Sequence, residues 1–544
     1  MSEPVFTMAG VLRRGAREFA DRDALVFPEH RQTHGQLYAS AMRWAKALHG
    51  LGVSRGENVG ILLPTCPEFV EIMFGCALIG ATAVPVNARY QPGELAYLVK
   101  DAELVALVTT GEVADGLDFS ERLSRALPSL ASAGNPALLN LAEAPSLRQI
   151  VCLEEDCAPG LMPQGDALAR GQGVEDATIE AASEAIDPAD IALILYTSGT
   201  TANPKGCMIS NRAMVGNSRN LGVRYEVGEN DKVWSPLPIF HIAGILPMTM
   251  ILDVGGAYLT VPHFDAGQAL RMLQDERATV AYPSFVTIMQ GLLDHESFDA
   301  TDLSSLRVMN SNFAVQPERI KHRMTEAMPH VIHVGTYGLT EAAGTICTSR
   351  LSDTYKARTE RLGVPLEEWE VEIRHPETGE ALPVGERGEI CARGPNMLSG
   401  YYNDAEKTAD SIRDGWLHTG DIGSFDEDGT IMFHGRTKDM LKVGGENVAA
   451  AEIEAALQTH PAVKLAQVVG IPDEKYAEVP AAFIECDGDA TASEEELIAH
   501  CKGQIANFKL PRVVRFVDEW PMSTSKIQKF KLRGDLCKEL GLEG

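Results

Sequence analysis

The sequence predicts an α/β fold: a large N-terminal region of several subdomains on mostly parallel sheets, a β-rich subdomain, and a small C-terminal α+β domain. Three observations carry this. Short apolar runs alternate with helical patterns from residue 58 to residue 334, which implies crossover units. Around 363–435 the texture changes to short strands punctuated by Gly and Asp-Gly. At 544 residues the chain is also too long for one ordinary core.

The elements follow in order. Residues 9–50 read as largely helical, with Leu37, Ala41, Trp44, Ala45 and Leu48 on one face. Asn58 to Leu63 reads as a strand, Pro67 to Phe74 as a helix, Ala83 to Val86 as a strand, Glu94 to Lys100 as a helix and Leu104 to Thr109 as a strand. Residues 111–149 read as a helical excursion with a mobile loop, and 154–190 as an acidic surface connection. Ile191 to Leu195 is short and apolar, the pattern of a buried strand. A second alternating block has strands at Ala257 to Val261, Val280 to Tyr282 and Val331 to Val334. The β-rich unit has strands at Val371 to Arg374, Gly388 to Cys391 and Thr430 to Phe433. The last segment contains helices Ala450 to Leu457 and Glu494 to Ile505, with strands Leu465 to Ile471, Ala481 to Glu485 and Val513 to Phe516.

The net charge of -28 disfavours nucleic acid or an anionic membrane as partner. Any polyanionic ligand must therefore meet locally clustered cations. Ten scattered cysteines without CxxC or Cys/His ligand spacing argue against a zinc module and for a reducing compartment. No apolar leader and no membrane-length run is seen, so the cytoplasm is the expected location.

Chemistry concentrates first in Tyr196 to Gly206, YTSGTTANPKG. Hydroxyls of Thr197, Ser198, Thr200 and Thr201, the open backbone of Gly199 and the charge of Lys205 suit a polyphosphate cradle. Pro204 before Lys205 and Gly206 after it exclude a Walker A loop. Composition alone also fits a surface turn. Tyr337-Gly338-Leu339-Thr340-Glu341 follows a strand and offers an aromatic face, a hydroxyl and a carboxylate suited to a hard cation. Gly415 to Asp421 (GWLHTGD) reads by composition as a turn with a buried Trp. His434 to Asp439 (HGRTKD) and the near-terminal Pro521 to Lys529 (PMSTSKIQK) complete the set, the latter by composition a basic solvated tail.

These stretches, in this order over nearly the whole chain, resemble the AMP-forming acyl-CoA synthetases of the adenylate-forming superfamily. The resemblance implies a phosphate loop at Thr197, Ser198, Gly199, Thr200, Thr201 and Lys205, adenine and ribose contacts at Tyr337, Thr340, Asp421 and Arg436, and a metal ligand at Glu341. It implies a catalytic lysine at Lys526, a hinge at Lys438 and a loop on the coenzyme A side at Gly444 and Gly445. The acyl pocket it implies is lined by His241, Asn312, Phe313, Gly335 and Gly338. Many relatives carry a Gly-Gly-Ala-Pro run where this chain has Asn310 to Glu318, so either the backbone path or the pocket differs here. Gly338 stands where acetate-specific relatives carry Trp, which argues against a pocket closed down to acetate.

The expected division is an adenylation domain over 1–437 and a mobile lid over 438–544. The expected reaction joins a carboxylic acid to coenzyme A through acyl-AMP, with ATP and Mg2+. A carrier-protein acceptor and a non-catalytic nucleotide-binding protein are the alternatives. The partners are small molecules, with neither nucleic acid nor a transmembrane segment, and a homodimer is compatible with the sequence.

Overall fold

The computed structural model describes residues 5–113, 117–197, 204–316, 318–436, 440–443, 446–473, 476–488, 490–502, 504–523 and 526–542. Two large sheets dominate the N-terminal part. One has eight strands in the order Gly400–Tyr401, Lys205–Ser210, Ile191–Thr197, Thr82–Pro85, Asn58–Leu62, Ala106–Thr109, Gln149–Cys152 and Met162–Pro163. The other has seven, running from Ile332–Val334 through Val308–Asn310, Val280–Ala281, Lys232–Trp234 and Ala257–Leu259 to Asp23–Phe27 and His30–Thr33. Both are mostly parallel, with antiparallel pairing confined to their ends. Strands such as Asn58–Leu62 and Ala106–Thr109 are buried along their whole length. That explains why they read as continuous apolar runs and not as alternating ones.

The β-rich unit is a five-stranded antiparallel sheet of Glu370–Arg374, Gly388–Arg393, Trp416–Phe425, Ile412–Arg413 and Ile431–Arg436. The C-terminal part has its own five-stranded sheet and its own apolar clusters, around Ile453 and Leu497 on one side and Phe483 and Leu532 on the other. Arg319–Asp487, at 2.7 Å, and Arg387–Glu452, at 3.3 Å, tie it to the N-terminal part. Among the described residues no helix is long and apolar enough to cross a membrane.

Several expectations need correction or refinement. Residues 9–50 are largely helical, but the unforeseen hairpin Asp23–Phe27 and His30–Thr33 divides helix Met8–Glu18 from helix His34–Gly50. Ala24 to Phe27 is a four-residue apolar run ended by Pro28, too short for a helix, and it is buried beside Ala257–Leu259. The second helix starts where a capping box, Thr33 with Gln36, satisfies its first amides, and all five predicted face residues are buried.

The 154–190 connection holds helices Gln164–Arg170 and Asp176–Glu184, each anchored by sparse apolar positions such as Ala167 and Ile179. Gly415 to Asp421 is a turn only at its start, since Trp416–Phe425 is a ten-residue strand. The basic segment Pro521 to Lys529 holds the paired strands Met522–Ser523 and Lys526–Ile527, and helix Lys529–Leu540 after it buries Leu532, Leu536 and Cys537 and ends at Gly541 in the left-handed region. Residues 111–149 do contain the expected helical piece, Phe119–Ala126, behind a small hairpin.

Candidate active site

The site is built where strand ends from different sheets meet. Strand Ile191–Thr197 turns back as Lys205–Ser210, with Thr197 opposite Lys205 in register. Lys205 and Thr197 are therefore held at the two mouths of the loop. Ser198, Gly199, Thr200 and Thr201 lie outside the described residues. The returning strand pairs on its far side with Gly400–Tyr401, Cys207 opposite Tyr401. This pairing lays the Tyr401 ring beneath Lys205, whose Nζ is 5.0 Å from the ring centroid.

Glu341 arrives from a small three-stranded antiparallel sheet, in the single turn Thr340–Ala342 after strand Thr336–Tyr337. The Tyr401 hydroxyl donates to Glu341 Oε1 at 2.9 Å. Burial, with the Glu341 charge next, pushes the Tyr401 phenol up, so it stays a neutral donor. The Glu341 turn is fastened from behind by Asn217, fully buried, whose Nδ2 donates to the carbonyls of Ala342 at 3.0 Å and Ala343 at 3.1 Å. Trp369 Nε1 donates in turn to Asn217 Oδ1 at 3.0 Å. Ala343 sits at φ +48°, an unfavourable angle for a residue with a Cβ. The carbonyl bonds from Asn217 help to hold it there. Thr340 is buried in the same turn.

Four residues before Glu341, the Tyr337 hydroxyl donates to Asp421 Oδ2 at 2.9 Å. Asp421 and Arg436 face each other across paired strands, with Arg436 Nε 3.0 Å from Asp421 Oδ1. Burial and the neighbouring Asp421 carboxylate push the Tyr337 phenol far up. It is a neutral donor that orients a buried carboxylate, while half of the Arg436 side chain remains exposed. One short segment thus carries Tyr337 to a carboxylate–guanidinium pair and Glu341 to a phenol–ammonium pair.

The residues expected at the acyl pocket are placed differently. Asn312 takes φ +51°, ψ +40°, the left-handed region that a glycine would occupy without cost and that Asn tolerates best among the other residues. Its Oδ1 accepts the Thr336 amide at 2.7 Å, joining the ends of two neighbouring parallel strands. Phe313 corrects the expectation of a pocket wall: it is completely buried, stacked on His333 with centroids 4.6 Å apart, and has no surface to offer a ligand. Gly335 is also a packing glycine, since a Cβ there would lie 2.6 Å from the Arg361 carbonyl oxygen. A Cβ at Gly338 would lie 1.7 Å from the Gly344 carbonyl oxygen, so no side chain fits on this backbone. His241 precedes helix Ile242–Asp253, half-buried, its ring 5.8 Å from Phe240.

Lys526 opens a two-residue strand paired with Met522–Ser523, and its side chain lies outside the described residues. The same holds for the whole of Lys438, Gly444 and Gly445. Sequence reasoning missed Tyr401 and Asn217. Gly400-Tyr401-Tyr402 reads locally as an ordinary turn, and Asn217 as one polar residue within a helix. Only contacts with segments distant in the sequence, 60 residues away for Tyr401 and 125 for Asn217, give either one a role at this site.

The sequence profile described as AMP-binding enzyme matches residues 12–402, and that of the AMP-binding enzyme C-terminal domain matches 452–526. The Bacillus subtilis (strain 168) protein YngI is 36% identical over 532 residues, 97% of this chain and 96% of that one. A Rhodococcus jostii (strain RHA1) ligase, named as 3-[(3aS,4S,7aS)-7a-methyl-1,5-dioxo-octahydro-1H-inden-4-yl]propanoyl:CoA ligase, is 32% identical, covering 98% of this chain and 99% of its own. Among solved structures, the anthranilate CoA ligase AuaEII in complex with anthranoyl-AMP superposes with a TM-score of 0.84 at 28% identity, covering 98% of both chains. With a profile spanning well over half its length and relatives above 30% identity end to end, this chain belongs to the AMP-binding enzyme family.

Proposed function

We infer that this protein is an AMP-forming carboxylic acid:CoA ligase. The observation that carries the reading is the double use of Tyr337 to Glu341, which presents a sugar-binding corner and a phosphate-side carboxylate from one five-residue segment. In the first half-reaction a carboxylate oxygen attacks the α-phosphorus of ATP, and the bond to the bridging oxygen breaks. Pyrophosphate leaves with that electron pair. In the second, the coenzyme A sulfur attacks the acyl carbonyl, the carbonyl–oxygen bond breaks, AMP leaves, and the thiol proton passes to water.

Each residue has a task in this reading. Thr197, Ser198, Gly199, Thr200, Thr201 and Lys205 hold the β- and γ-phosphates. Tyr337 and Thr340 take the adenine side, and Asp421 and Arg436 the ribose. Lys526 lowers the cost of bringing a carboxylate and a phosphate together, because a cation between two anions favours the crowded transition state most. Glu341 is the residue that would hold Mg2+: it is a hard oxygen donor whose orientation Tyr401 fixes. The ion supplies neutralisation of phosphate charge when bound. Residues 438–544 act as a lid turning near Lys438, bringing Gly444 and Gly445 to the coenzyme A side after Lys526 has acted.

The acid is larger than acetate. The support is that the Rhodococcus relative is named for a bicyclic propanoate; Gly338 itself packs against the Gly344 carbonyl. The test is a panel of aliphatic, aromatic and polycyclic acids offered with Mg-ATP and coenzyme A. Acid-dependent AMP and pyrophosphate are expected. ADP in their place, or turnover only with a carrier-protein thiol, overturns the reading.

A further inference from the structure

Strands Gly388–Arg393 and Trp416–Phe425 pair with an interruption: Glu389 faces Ile422 and Cys391 faces His418. Between those two pairs Ile390 alone stands opposite Thr419, Gly420 and Asp421. Such a bulge redirects the side chains it contains and is common beside active sites. Here it aims Asp421 at Tyr337 and Arg436.

A bulge frees backbone groups from the ladder, and this one is stitched from a single side chain. Glu389 Oε1 accepts the Gly420 amide at 2.9 Å, and Oε2 accepts from His418 Nδ1 at 2.7 Å. Its carboxylate thus spans the bulge from one flank to its centre. Gly420 is at φ +71° with open space where a Cβ would be, so conformation alone demands the glycine, and the bond from its amide fixes that conformation. Thr419 closes the other side, its Oγ1 donating to the Ile390 carbonyl at 2.7 Å and accepting the Asp421 amide at 3.1 Å. Glu389 and His418 are both close to fully buried.

Glu389, Cys391 and His418 are also close enough to one another for a shared cation. Arg413, 3.6 Å from Glu389 Oε2, opposes one, and burial, with the Glu389 charge next, lifts the Cys391 thiol to about 12, leaving it protonated.

We propose that Glu389 and His418 are positioning residues that clamp the Thr419–Asp421 bulge and thereby set where the Asp421 carboxylate meets the nucleotide sugar. The proposal rests on the reading of Asp421 as a ribose ligand, and the experiment separates the two. Rates are compared with ATP and 2′-deoxyATP for the wild type, Asp421→Ala, Glu389→Ala, Glu389→Gln and His418→Ala. A charge-assisted hydrogen bond to a ribose hydroxyl gives the wild type a preference for ATP of about tenfold or more.

Asp421→Ala should abolish that preference. Glu389→Ala should remove most of it, while the KM for the acid stays put. Glu389→Gln and His418→Ala each keep one of the two contacts and should fall in between; should Glu389→Ala not fold, they carry the test alone. If the Glu389 and His418 variants slow both nucleotides equally while Asp421→Ala loses the preference, the clamp is only scaffolding and the proposal fails. If Asp421→Ala keeps the preference, the ribose reading itself falls.

Discussion

The corner around Tyr337 that we read as the nucleotide site and the loop around Asn312 that we read as the acyl side solve opposite problems. Around Tyr337, Asp421, Arg436, Lys205 and Glu341, charged and polar groups from separate segments are pointed at one another. Around Asn312 and Phe313, the polar atom is spent on a backbone amide and the aromatic ring on a buried histidine. The first arrangement sets a buried carboxylate, Asp421, between a buried phenol and a half-exposed guanidinium. The second ties adjacent strands together and buries the Phe313 ring completely. Mutations on the nucleotide side should therefore change rates, and mutations on the acyl side should change stability.

The largest effect expected on the rate side is that of Lys526→Ala. Acyl-AMP formation, followed by pyrophosphate release, should fall on the order of a thousandfold, about 4 kcal/mol in the barrier. The melting temperature should stay where it is, and thioester formation from supplied acyl-AMP should be largely spared. Equal loss of both half-reactions would erase the division of labour. Phe313→Ala is the counterpart on the other side. Removing a fully buried ring costs about 3–4 kcal/mol, visible in denaturant unfolding, and the rate per folded molecule should change far less. A variant that melts normally but has lost activity would place Phe313 on the chemical side after all.

Acid should separate the two regions as well. His333 is buried with Ser311 Oγ 2.7 Å from its Nδ1, and burial, helped by nearby Arg358, lowers its pKa to about 4. A histidine more basic unfolded than folded stabilises the fold in its neutral form. That contribution is complete above the unfolded pKa of about 6.5 and is lost as pH falls from there toward 4. Between pH 7 and pH 5 the loss from this one group is about 2 kcal/mol. His333→Gln should flatten the pH dependence of unfolding in that window, whatever it does to stability at pH 7. An unchanged slope would mean that His333 is not held neutral.

The same contrast explains what the sequence made legible. Tyr337, Glu341, Asp421 and Arg436 could be picked out because each lies in a short stretch of distinctive residue types, and the fold brings Tyr337, Asp421 and Arg436 together. Strand Asn58–Leu62 was legible because it is followed by a helix and a further apolar run in a repeating order. Asp23–Phe27 was not, because it lies between two helices and its partner strand, Ala257–Leu259, is more than two hundred residues away. The helix Lys529–Leu540 was hidden because Leu532, Leu536 and Cys537, the positions it buries, are interspersed with charged residues and form a covered face only against the sheet. Tyr401, Asn217 and Glu389 were hidden for a related reason: each acts on a segment that the chain brings beside it only by folding. Phe313 shows the converse, a residue at the right place in the order whose side chain turns inward, which backbone alignment does not reveal.

Tyr401→Phe gives the smallest and sharpest test, because it removes one oxygen between the two kinds of region. The ring remains, so Lys205 keeps its aromatic face and strand Gly400–Tyr401 its packing. The bond to Glu341 Oε1 goes, together with the weaker contact to Ser411. If Tyr401 acts by aiming the carboxylate, the variant should need more Mg2+ for half-maximal rate, with about a tenfold fall in activity at limiting Mg2+, the value of one hydrogen bond to a charged group. Saturating Mg2+ should recover most of the rate, because the ion then orients the carboxylate in place of the phenol. A loss that Mg2+ does not repair, accompanied by a lower melting temperature, would assign Tyr401 to the packed side of the comparison and leave Glu341 without its guide.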